Sequence, residues 1–110
     1  MAEEIRLVEN DTKPAIGWVL KDRETNDVID LTTATVKLYV RALGSTTLKI
    51  DGRELTKPNG GGDGLVQYTP VSGDLDTPGQ YEGDIEITFL DGTIQTVFEK
   101  QHFRIRSEVG

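Results

Sequence analysis

The sequence predicts an all-β domain, an antiparallel sandwich of about seven to eight short strands. Three observations carry this. Apolar and polar residues alternate with a period of two over several stretches. Gly, Pro, Asn and Asp clusters bracket each stretch. At 110 residues the chain holds one modest core and a single domain, residues 1–110.

Ile5-Arg6-Leu7-Val8 reads as a first strand within an N-terminal arm, Met1–Glu9, and Asn10–Pro14 breaks it. Ile16, Trp18 and Leu20 alternate with Gly17, Val19 and Lys21, which places Trp18 at the centre of a second strand and on its core side. Residues 21–27 form a polar turn, and Val28–Leu31 is a brief extended segment. Val36, Leu38 and Val40 face one way in a third strand, and Lys37, Tyr39 and Arg41 face the other. Leu48–Ile50 is shorter and leads to an Asp51-Gly52 turn. Asn59–Gly64, with Gly60, Gly61 and Gly62, reads as the most flexible loop, and Leu65–Tyr68 follows as a strand.

The C-terminal third is the clearest part. Thr77-Pro78-Gly79-Gln80-Tyr81 is a turn that delivers a tyrosine into a strand. Tyr81, Ile85, Ile87 and Phe89 share the core parity, and Glu82, Asp84, Glu86 and Thr88 share the solvent parity. Asp91-Gly92 supplies the positive φ angles of a tight hairpin. In the returning strand Ile94, Thr96 and Phe98 are even, whereas Phe103 and Ile105 are odd. That conflict predicts a β-bulge near Glu99–His102, or a change of sheet there.

Tyr81 follows Gly79 by two residues and Asp76 by five. This resembles a tyrosine corner, in which the hydroxyl bonds back to nearby backbone. Trp18 is expected to pack across the sandwich. Tyr39 and the loop glycines Gly60, Gly61 and Gly62 are the candidate interface residues.

Composition excludes several chemistries. Twelve basic against nineteen acidic residues give a net charge of −7, which disfavours nucleic acid and anionic membranes. There is no cysteine, so no disulfide, thiolate metal site or cysteine nucleophile exists. The N-terminus lacks the apolar core of a signal peptide, and no apolar run is long enough to span a bilayer.

The glycine loop is followed by a strand and not by Lys-Ser/Thr and a helix, so it is not a phosphate loop. His102 is the only histidine, which leaves zinc short of ligands, and it reads as a strand residue. None of Ser45, Ser72 and Ser107 sits in a nucleophile elbow. Carboxylates are plentiful, but a glycosidase pair needs a cleft and a set separation. Asp74 and Asp76 resemble a fragment of a calcium loop that lacks its later glutamate. Catalytic, cofactor and metal residues are therefore expected to be absent.

A wider pattern runs from Ala15 to Ile105. It comprises Ala15–Leu20, the Leu31-Thr32-Thr33-Ala34-Thr35-Val36 phrase, Gly64–Tyr68, the Pro78-Gly79-Gln80-Tyr81 turn and the Asp91-Gly92 hairpin. This resembles the N-terminal immunoglobulin-like domain of phage baseplate upper proteins. The resemblance implies an immunoglobulin-like sandwich and a non-enzymatic virion structural role, at the tail, baseplate, neck or capsid surface. It implies synthesis in a host bacterial cytoplasm, other virion proteins as partners, and homo-oligomers in the particle. In that family further fibre or receptor-binding regions follow the domain, whereas this chain stops at Gly110. The N-terminal arm, the glycine loop and the tail Arg106–Gly110 are the expected contact elements. A small carbohydrate-binding or adhesion module is the competing expectation, and it requires exposed aromatic rings on one face or loop.

Overall fold

Period-two burial runs through the long strands, so one face of each is committed to a core. The computed structural model describes residues 4–97 and 100–108. Among these there are eight strands and no helix: β1 (Glu4–Val8), β2 (Ile16–Val19), β3 (Thr35–Ala42), β4 (Leu48–Glu54), β5 (Leu65–Tyr68), β6 (Gly79–Thr88), β7 (Ile94–Thr96) and β8 (Gln101–Arg106). The large sheet has the order β1-β8-β6-β3-β4, with β7 also paired to β6. The small sheet is β2-β5. Together they form a β-sandwich around one core.

β3 and β6 are the antiparallel centre, with Leu38 opposite Ile85 and Val36 opposite Ile87. Those four side chains are almost fully buried. From the small sheet, Val66 and Tyr68 pack on them in the same cluster, joined by Leu20, Leu31 and Leu55. Each such aliphatic side chain contributes about 1.5–3 kcal/mol by leaving water. Phe103 and Ile105 extend the core under β8, and Leu7 under β1.

Several local expectations are corrected. The large sheet is mixed and not purely antiparallel, because β1 runs parallel to β8. Asp51-Gly52 is no turn: β4 runs through it, and the register jumps from Leu38↔Arg53 to Tyr39↔Asp51. Gly52 is the extra residue, a β-bulge that uses the same left-handed freedom a turn would use. Leu90-Asp91-Gly92 forms a three-residue hairpin loop. Phe89 N–H donates to Thr93 C=O at 2.8 Å and Gly92 N–H to Phe89 C=O at 2.9 Å. Only Gly92 takes positive φ, 88°, as a type I turn closed by a glycine bulge requires.

The parity conflict in the last strand resolves without a change of face. Ile94 lies opposite Thr88 and Thr96 opposite Glu86 on the solvent side, and Ile94 is 62% exposed. The inward residues are Val97, Gln101, Phe103 and Ile105. Val97 N–H bonds Ile85 C=O, and Gln101 lies opposite Gly83. The chain thus advances four residues against its partner's two, an even insertion that keeps the odd residues inside. Phe98, whose parity raises the conflict, and Glu99, where the predicted bulge begins, lie outside the described residues.

Candidate functional site

Polar side chains in this protein mostly answer one another, and the strongest cluster is buried. Asp74 precedes β6 in the β5–β6 connection. Its carboxylate accepts from Arg53 Nη1 and Nη2 at 2.8 and 2.9 Å, from the Tyr68 hydroxyl at 2.7 Å and from Val71 N–H at 3.0 Å. Burial alone would raise the Asp74 carboxyl, but the Arg53 hydrogen bonds, then Val71 N–H and Tyr68, outweigh it and hold it below the usual range. The same bonds raise Arg53, and burial raises the Tyr68 hydroxyl. Asp74 is thus fully engaged, and Asp76 turns elsewhere, to Lys49 and the Thr77 hydroxyl. The pair does not converge on a shared cation position. Among the described residues no group of three or more His, Asp or Glu is placed to hold a metal.

Tyr81 sits buried at the entry to β6 and donates its hydroxyl to Thr77 C=O at 2.6 Å. Trp18 is half-buried in β2, and its indole N–H donates to Gln101 Oε1 at 3.0 Å, tying the two sheets together. Val36, Leu38, Ile85 and Ile87 form the centre of the core, and Phe89 packs partly buried at its edge. Gly79, Asp91 and Gly92 are exposed turn or strand-entry positions. Asp91 accepts from Thr93 N–H and its hydroxyl, which lowers the Asp91 carboxyl.

The glycine loop divides. Gly60 and Gly62 are exposed, whereas Gly61 is buried against the backbone of Leu31. Leu31 N–H donates to Gly61 C=O at 2.9 Å, and Lys57 Nζ donates to the carbonyls of Leu31 and Ala34 at 3.0 and 2.6 Å. The loop is therefore stitched to the 31–34 turn and is no free tip. Neither Lys57 nor the Arg53–Asp74 pair was legible in the sequence, because no local spacing marks a lysine or arginine for partners twenty or more residues away.

The solvent face of the large sheet carries rows of charge that alternate in sign from strand to strand. β8 and the residue before it present Lys100, His102, Arg104 and Arg106. β6 presents Glu82, Asp84 and Glu86, β3 presents Lys37 and Arg41 around a half-buried Tyr39, and β4 presents Asp51 and Glu54. Arg41 reaches Glu82 at 2.7 Å, which lowers the Glu82 carboxyl, and Lys100 reaches Asp84 at 3.2 Å. Such exposed pairs contribute at most about 1 kcal/mol each, but they neutralise the face. Exposed large apolar side chains are aliphatic among the described residues: Val19, Val28, Leu43, Leu48, Val71, Leu90 and Ile94. No exposed aromatic ring stands among them to stack on a sugar.

Two of the solved structures that share this architecture illustrate it. The N-terminal domain of phage TP901-1 ORF48 superposes with a TM-score of 0.58 at 13% identity, covering 97% of this chain and 86% of that one. CopC from Methylosinus trichosporium OB3b superposes with a TM-score of 0.55 at 8% identity, covering 97% and 87%. The fold is shared with both. No family model matches the sequence, and no curated protein matches it by sequence.

Proposed function

We propose that this chain is a non-enzymatic bacteriophage virion structural domain that acts through protein–protein assembly. The observation that carries the reading is the likeness to the N-terminal domain of a phage protein over 97% of this chain. The CopC likeness is of similar extent, so shared fold alone does not choose between them. The choice rests on the motif pattern, the Pro78-Gly79-Gln80-Tyr81 turn into a hairpin closed at Asp91-Gly92, which resembles the phage domain family.

Side-chain chemistry supports the same reading. Asp74, Glu82, Tyr81 and Trp18 are engaged by partners inside the fold. Partners are other virion proteins of the tail, baseplate, neck or capsid surface, and copies of this chain arranged by the particle's symmetry.

Peptide mass spectrometry across a density gradient of purified particles tests the proposal. Peptides of this chain should band with the particles at a fixed ratio to the major virion proteins. Recovery only in the particle-free fractions would overturn it.

A further inference from the structure

An edge strand presents unused N–H and C=O groups and so decides where a β-protein can pair with another chain. Most edges here are blunted. β1 carries Glu4 and Arg6. β4 carries Lys49, Asp51, Arg53 and Glu54 and two register shifts. The outer side of β5 is taken by Thr56, which exchanges both backbone bonds with Gln67. β7 is only three residues long.

β2 differs. Ile16-Gly17-Trp18-Val19 has no charge and no bulge, and among the described residues it pairs with β5 on one side only. Its ladder phase is defined. Leu20 N–H donates to Gly64 C=O, so Trp18 and Ile16, at the same phase, direct their backbone groups to β5. Gly17 lies opposite Gln67, whose own backbone groups are spent on Thr56. Gly17 and Val19 therefore aim N–H and C=O toward the open side. Val19 is 50% exposed, and Gly17 beside it has no side chain.

We propose that this edge pairs with the same edge of a second copy, antiparallel about a two-fold axis at Trp18. In that register Gly17 lies opposite Val19 of the second copy and exchanges both backbone hydrogen bonds with it, once on each side of the axis. Val19 then covers the bare backbone of the facing glycine, and the two Val19 side chains become diagonal neighbours. The two small sheets fuse into one, and the interface is isologous and self-closing. The other copy, and not an unrelated strand, is the occupant because the projection at Val19 and the gap at Gly17 match each other in this register. A four-residue edge is weak alone and gains strength where a particle raises the effective concentration.

This inference rests on the assembly reading above and names one surface of it. Sedimentation equilibrium of the full chain, from micromolar to about 1 mM, should show a concentration-dependent dimer. Val19→Lys and Gly17→Pro should each weaken it about tenfold or more. Both leave the β2–β5 ladder intact, and should Gly17→Pro fail to fold, Val19→Lys carries the test alone. Because the chain lacks cysteine, a mixture of Gly17→Cys and Val19→Cys chains should cross-link faster than either variant by itself. A dimer that Val19→Lys leaves unchanged, or equal cross-linking rates, would overturn the edge assignment while leaving the assembly reading standing. A monomer at every concentration would overturn the self-pairing. The particle gradient judges the assembly reading separately.

Discussion

The Asp74 carboxylate satisfies three donors at once, the Arg53 guanidinium, the Tyr68 hydroxyl and Val71 N–H. Removing it leaves the Tyr68 hydroxyl without its acceptor and Arg53 without its counter-charge. Asp74→Ala should cost about 3 kcal/mol in urea unfolding, and an unchanged midpoint would contradict the role assigned to it. The pH dependence has a definite sign. The folded carboxyl is held below its unfolded value, so its contribution is complete above the unfolded value, near 4, and is lost as pH falls through the lowered one. Acid titration of stability should therefore be shallower below about pH 4 in Asp74→Asn than in the parent. Tyr81→Phe removes one hydrogen bond, to Thr77 C=O, and should cost about 1 kcal/mol with the structure unchanged. The two residues differ in legibility. The bond of Tyr81 is local, four residues back, so the Pro-Gly-x-Tyr spacing announces it. Asp74 finds Arg53 across twenty-one residues, and only the folded topology brings them together.

At the scale of elements, alternation and turn chemistry are legible where one face is buried and misleading where a turn-like dipeptide serves another purpose. β3 and β6 alternate without a break, and their pairing follows from that pattern. Asp51-Gly52 shows the opposite case. A left-handed glycine ends one strand and bulges another, and only the neighbour β3, holding both flanks in register, selects the bulge. The glycine loop differs from its composition for a related reason: at Gly61 the missing side chain serves close approach to Leu31. A Cβ there would stand 2.8 Å from the Leu31 carbonyl carbon, at a φ of 96°. Gly61→Ala should cost about 2 kcal/mol, while Gly62→Ala, which meets nothing closer than 3.8 Å, should stay within about 0.5 kcal/mol. Equal melting shifts for the two would contradict the stitched loop.

Across the whole molecule, both sheets share one cluster of buried side chains. Unfolding should therefore be a single cooperative transition. The only tryptophan, Trp18, bonds from the small sheet to Gln101 of the large one, so its fluorescence reports the union of the sheets. Fluorescence and far-ultraviolet circular dichroism should trace the same denaturant curve. An earlier fluorescence transition would mean that the small sheet comes away by itself. The surface follows from the same division of labour. Charges are matched in rows on the large sheet, whereas β2 presents an uncharged edge, the surface proposed above for self-pairing. The most direct measurement of that account is a cryo-electron-microscopy reconstruction of the particles whose genome encodes this chain. It predicts an eight-stranded sandwich, about 46 × 28 × 24 Å, at symmetry-related positions in the particle. A map fully explained by other chains, with no density of this shape, would contradict it.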